Sequence, residues 1–218
     1  VLASRECTSV VLRTGGPDPQ HPRDKQGRPL PWPGGYLDAT RMLRQARAEY
    51  PDWFIGAGVN PFKYTVADTH GQYLKMFRKL NLGADFLVTQ AGWDMRKLQE
   101  LQWYLRRRGQ ETPLVARLLL VRPNQVPDVL AGHWSGVLLS REFATQLQRE
   151  AAVAENQALA VQYERLALAA AGCRLLGYSG IQLAGLQDAA QLRTVVDKVF
   201  AALERFTTYQ DWAMAWEA

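Results

Sequence analysis

The sequence has little sulfur and little imidazole. Among 218 residues there are two cysteines, Cys7 and Cys173, and three histidines, His21, His70 and His133. The cysteines are far apart, which excludes a disulfide framework and a CxxC redox or metal motif. The histidines are equally scattered and lack zinc-ligand spacing, so no metal is expected. No run of about 18 apolar residues occurs, which excludes a transmembrane helix. The chain opens on Val1 without the charged-then-apolar pattern of a signal peptide. A reducing, cytoplasmic setting with no membrane partner is the expectation. No GxGxxG follows a strand pattern, which weakens a dinucleotide-binding fold, and the absence of GxxxxGK[ST] excludes a P-loop. Without HExxH or a Ser/His/Asp order, no catalytic residue is assigned.

What is present is an ordinary globular composition, 47% apolar and 22% charged, enough for one domain over 1–218 with a sizeable core. The net charge is +5. The longest basic run, Arg106-Arg107-Arg108, ends a helical pattern, where cations complement the helix dipole. Nucleic-acid binding needs basic residues gathered on one surface, so no nucleic acid is expected as partner.

Short β-branched runs alternate with helical patterns. Strands are expected at 9–12, 54–59, 85–90, 113–120 and 180–183, with a brief further one at 136–139. Helices are expected at 37–49, 68–82, 94–108, 125–130, from a Ser140 cap into 144–147, and at 156–176 and 189–206. A Gly/Pro-rich loop fills 15–35, and Trp212 and Trp216 are expected to pack back on the body. Tyr73, Met76, Phe77 and Leu80 make one stripe of the 68–82 helix at i, i+3, i+4, i+7. Strand–helix alternation at roughly 30-residue spacing signals βαβ units and a parallel sheet. The fold class is α/β. A complete TIM (β/α)8 barrel needs eight strands and about 250 residues, so five units correspond to the back of such a barrel.

Ligands of parallel α/β folds bind at the C-terminal ends of strands. Four stretches fall there. Thr14-Gly15-Gly16 follows the first strand and offers backbone amides and a hydroxyl, or is simply the turn into the long loop. Asn60, Phe62, Lys63 and Tyr64 bring an amide, a cation and two rings into one loop, suited to a flat ligand with an anionic tail. Gln90 presents a donor beside an acceptor, a pairing that reads the amide-like edge of a pterin or purine, and Trp93 either stacks on a ligand or simply covers the barrel mouth. Asp94 is foremost a helix N-cap. Arg78 and Lys79 reach toward a phosphate or form a solvated face.

The runs Gly56-Ala57-Gly58-Val59-Asn60-Pro61-Phe62-Lys63-Tyr64-Thr65 and Gly83-Ala84-Asp85-Phe86-Leu87-Val88-Thr89-Gln90, with Asp94, Arg96 and Lys97, resemble methylenetetrahydrofolate reductase, in its divergent branch. Leu176-Gly177-Tyr178-Ser179-Gly180-Ile181 resembles that branch's last strand entry. The resemblance spans roughly 8–200. It implies a cytoplasmic flavoprotein barrel of one-carbon and methionine metabolism. The activity implied is an oxidoreductase one, with FAD relaying hydride from NAD(P)H to reduce 5,10-methylenetetrahydrofolate to the 5-methyl form. Position by position, it gives folate contact to Gln90, the FAD phosphates to Arg78 and Lys79, and the flavin loop to Thr14 and Gly15.

The chain also departs from the pattern. Gly16 stands where the family has an Asp, with Asp18 the nearest substitute, and Lys63 stands where standard reductases place a His. The family's arginine after the last strand has no counterpart at 183–188. The general-acid Glu lies on a first strand that would precede Val1. This chain alone is therefore expected to lack activity, with a folate substrate and a homo-oligomer compatible with it. The rival expectation is a non-catalytic or methyl-transfer-associated folate binder without tight FAD.

Overall fold

The computed structural model describes residues 8–13, 24–26, 38–134 and 136–217. The described residues form β1 (Ser9–Leu12), α1 (Ala39–Glu49), β2 (Phe54–Val59), α2 (Val66–Asn81), β3 (Phe86–Thr89), α3 (Met95–Arg107) and β4 (Leu114–Leu119). A turn of 3-10 helix and α4 (Val126–Leu130) follow, then α5 (Arg141–Val153), α6 (Glu155–Leu176), β5 (Gly180–Ala184), α7 (Ala189–Arg205) and α8 (Tyr209–Glu217). Polar side chains set several helix starts. Asp38, Thr65, Asp94, Ser140 and Asp188 each accept backbone N–H bonds at an N-cap, satisfying groups that the first turn leaves unpaired.

The sheet has the order β1-β2-β3-β4-β5, and every neighbouring pair is parallel. Consecutive order matters. Right-handed crossovers that always step the same way put every connecting helix on one face of the sheet. That is the winding of a TIM barrel, here half of one, and not of a doubly wound sheet. The expected α/β barrel architecture and its five strands are present.

Strand alternation divides the side chains. Val10, Leu12, Ile55, Ala57, Val59, Leu87, Leu114, Ala116, Leu118, Ile181 and Leu183 belong to the main core with the helices. The alternate positions form the other, open face. There Val11 is 44% exposed and Phe54 50% exposed, with Phe54 stacked on Phe86 at 4.8 Å. At the N-terminal end of the sheet Arg47 acts as a bolt. It donates to the carbonyls of Pro51, Trp53 and Gly83 and to the Asp85 carboxylate, which in turn accepts from Ile55 N–H at 2.6 Å.

Two expectations change. Residues 136–139 pair with no strand. Gly136 has φ 74°, Val137 N–H closes a turn onto Trp134, and Val137 and Leu139 pack instead into a second apolar cluster with Leu119, Val126 and Leu147. The helix expected from a Ser140 cap into 144–147 has that cap and continues past 147 to Val153 as α5. The two tail tryptophans lie on the core as expected. Trp212 is 3% exposed, and its Nε1 donates to Leu168 O at 2.7 Å.

Candidate functional site at the C-terminal end of the sheet

The open face changes character along the strands. Its lower part is apolar, with Val11, Phe54, Phe86, Val88 and Val115. Its upper part is polar. Arg117 pairs in register with Gln182, and Gly58 pairs with Val88 in the row below. Continuing the register past the strand ends brings Asn60 and Gln90 into the same row as Arg117 and Gln182. Arg13, one residue beyond β1, lies across Gly58, with its Cγ and Nε 3.5 Å from where a Cβ there would sit. From there its guanidinium donates to Gln90 Oε1. A guanidinium only donates, so this bond fixes which end of the Gln90 amide is oxygen.

The row is rich in positive charge. Partial burial lowers the Arg13 pKa, and the nearby positive charge of Arg117 lowers it further. Lys79 comes up from α2 and donates to Gly58 O at 2.6 Å. Burial pushes its pKa down, Lys75 and Arg13 add to the fall, and Asp38 opposes it. Arg117 Nε is buried and has no hydrogen-bond partner among the described residues. Cations that desolvate and repel one another favour an anion between them.

The other residues expected at a site lie as follows. Asn60 Oδ1 accepts from Phe62 N–H at 3.0 Å, and its Nδ2 reaches Gly136 O at 3.5 Å. Gly136 also comes close to Gln90, since a Cβ there would be 2.6 Å from Gln90 Nε2. Lys63 is half-buried, and its carbonyl accepts from Thr69 Oγ1. Arg78 is exposed, so the basic pair is split between solvent and the sheet. Thr14, Gly15, Gly16 and Asp18 lie outside the described residues. Trp93 packs into the helical layer. Its Nε1 donates to Leu119 O at 3.0 Å, and its ring meets Phe143 at 5.7 Å in the second cluster. Asp94 caps α3. Sequence reasoning missed Arg13, Arg117 and Gln182. Arg117 and Gln182 left a signal, a polar residue inside an apolar strand, most plainly Arg117 within Leu114-Val115-Ala116-Arg117-Leu118-Leu119.

Among the described residues no three of His, Cys, Asp and Glu gather as a metal site, and no helix is long and apolar enough to cross a membrane.

No family model and no curated protein matches the chain. Solved structures do. An uncharacterised protein from Clostridium thermocellum, described as binding two copies of 5-methyl-5,6,7,8-tetrahydrofolic acid, is similar with a TM-score of 0.53 at 13% identity. The likeness covers 81% of this chain and 62% of that one, so the chain spans less than two thirds of that neighbour's length. At this identity the likeness is one of fold. The homocysteine methyltransferase MmuM from Escherichia coli (TM-score 0.31, 14% identity, 75% of this chain and 70% of that one) is more distant. So is 3-hexulose-6-phosphate synthase from Salmonella typhimurium (TM-score 0.29, 12% identity, 77% and 81%).

Proposed function

We propose that the open face binds a reduced folate at the C-terminal ends of its strands, and that the protein is a flavin-dependent reductase of the methylenetetrahydrofolate reductase type. The observation that carries this reading is Gln90, held in one orientation by Arg13 and set in a row with Arg117. An amide fixed at a strand end offers the pterin ring a donor and an acceptor side by side. Arg13 and Arg117 stand beside that amide and offer further donors to the pterin carbonyl and ring nitrogens. The block 83–97, which resembles the reductases, and a fold neighbour described as binding a methylated folate both support it.

The reading implies FAD, and the residues present fit an anionic cofactor. Arg13, Arg117 and Lys79 put three cations near the upper end of the sheet, with Asp38 the acid that acts on Lys79. Lys79 would hold the phosphates. When bound, a flavin supplies the carrier that takes hydride from NAD(P)H and passes it to the folate. The chain's own residues bind and orient. Gln90 positions the pterin, and the apolar floor of Phe86, Val88 and Val115 keeps water from its lower face.

A second reading, a folate binder without tight FAD, draws on Lys79. Its ammonium is already committed to Gly58 O at 2.6 Å. The two readings separate in one experiment on the full-length protein. Titration with 5-methyltetrahydrofolate tests folate binding, and the visible spectrum tests flavin. A flavin band that bleaches with NAD(P)H and returns with methylenetetrahydrofolate is the expected result. Folate binding by a colourless protein that takes up no FAD supports the second reading. No folate binding overturns both.

A further inference from the structure

The upper end of the open face gathers positive charge with little negative charge to match it. Arg13 stands just beyond β1, Arg117 lies on β4, and the Arg117 charge bears on Arg13. Lys79 joins them from α2, with Lys75 behind it and Asp38 the acid that acts on it. No ion pair among the described residues includes Arg13, Arg117 or Lys79.

The row also donates more readily than it accepts. A guanidinium only donates. Gln90 Oε1 already accepts from Arg13, and Asn60 Oδ1 accepts from Phe62 N–H at 3.0 Å. Gln182, paired in register with Arg117, is the side chain of the row left to accept. A neutral pterin suits such a row poorly at one atom. Its N3–H sits between the 4-oxo group and the 2-amino group, so N3–H and the 2-amino group both ask for acceptors. Loss of the N3 proton reverses that demand. The edge then shows N3 and O4 as adjacent acceptors sharing one negative charge. That is the pattern of a carboxylate, which a guanidinium meets with two parallel N–H bonds. Neighbouring positive charge stabilises such an anion and lowers the pKa of the group that forms it.

We propose that Arg13 and Arg117 bind the pterin ring as its lactam anion, with the N3 proton released to solvent. The inference rests on the folate reading and adds the ionisation state in which the ligand is held. The ligand class is then pteridines whose N3 can lose a proton. Charged groups around the row do not mimic the effect. The arginines stay charged, and hydrogen bonds at the start of α1 lower the Asp38 pKa, so it is ionised throughout. Lys79, Lys75 and His133, which pairs with Asp128 on the segment leading to Gly136, can only lose positive charge as pH rises. That loss weakens anion binding, so a gain in affinity with pH belongs to the ligand.

6-Methylpterin is the probe, because its lactam ionises at mildly alkaline pH with a change in near-ultraviolet absorption. Its N3-methyl derivative is the control, since it has no N3 proton to lose. Each is titrated into the purified protein from mildly acid to mildly alkaline pH, with 5-methyltetrahydrofolate beside them. Bound 6-methylpterin should show the anion's spectrum about one pH unit below the free compound, and its affinity should rise about tenfold over that interval and then level off. Affinity for the N3-methyl derivative should not rise. Arg13 is exposed, so Arg13→Gln should keep the fold and lose most of the spectral shift, and Arg117→Gln should lose it likewise. A neutral bound spectrum with no rise in affinity overturns the proposal and leaves the folate reading standing. So does binding of 5-methyltetrahydrofolate with none of 6-methylpterin, or an undiminished shift in Arg13→Gln. Binding of no pteridine at all overturns the folate reading, and the proposal with it.

Discussion

Arg13 reaches Gln90 only because β2 carries no side chain at Gly58. The arginine stem lies over that backbone at van der Waals distance from where a Cβ would stand. A methyl group fits there, and a branched chain does not. Gly58→Leu should therefore swing Arg13 off the sheet and free the Gln90 amide to rotate. The expected outcome is folate binding weakened roughly tenfold with little change in melting temperature. Gly58→Ala should bind as the unaltered protein does. Calorimetric titration of both variants with 5-methyltetrahydrofolate checks the pair. At this scale the sequence is only half legible. Gln90 is readable as a candidate because a polar amide ends an apolar strand, and the structure places it in the polar row beside Arg13. Arg13 is not, because nothing in its neighbours says that it will cross a glycine. Trp93 follows Gln90 by three residues, yet it turns into the helical layer and pairs with Leu119 O. Sequence proximity at a strand end does not say which face a side chain takes.

At the scale of elements, α6 organises the helical layer. It touches α3, α5, α7, α8, β4 and β5, and its alanine-rich run 167–171 allows the close approach. Gly172 is the tightest point. A Cβ there would stand 2.3 Å from the Trp212 indole and 2.9 Å from Met95 Cε. Gly172→Ala should cost roughly 1–3 kcal/mol by overpacking, seen as a lowered denaturation midpoint and a red shift of tryptophan emission. The α5–α6 contact carries an ion pair, and it gives a pH dependence. The Arg165 hydrogen bond holds the Glu150 carboxyl below its ordinary 4.5, outweighing the opposing effect of burial. A depressed folded-state pKa stabilises above the unfolded value and loses that contribution as pH falls through the folded one. Glu150→Gln should lower stability at neutral pH by about 1–2 kcal/mol. The gap to the unaltered protein should close as acid titrates the carboxyl. Denaturant melts at neutral and acid pH would show whether it does. Helix existence was legible here, since periodic apolar residues and Asp94 or Ser140 caps announce it. The extent of α5 was not, because only its Ala144–Leu147 centre is buried.

For the whole molecule, βα spacing read from the sequence yields parallel strands but not their order. Spacing alone suits both singly and doubly wound sheets, and only the consecutive order β1-β2-β3-β4-β5 decides between them. The consequence is that, among the described residues, helices clothe one side of the sheet. The lower open face presents Val11 and Phe54. Exposed apolar surface of this kind drives association. Val11→Lys combined with Phe54→Ser should keep this chain smaller at high concentration. Sedimentation velocity across a concentration series measures it, and unchanged sedimentation would mean that this face takes no part in self-association.

The indole of Trp212 seated against Gly172 also bears on how the chain is born. Translation delivers residues at roughly 5–20 per second, so α8 leaves the ribosome some seconds after the helix it covers. During that interval the notch at Gly172 is an uncovered apolar slot. The nascent protein is thus open to capture by chaperones there from the time α6 has emerged until α8 follows it.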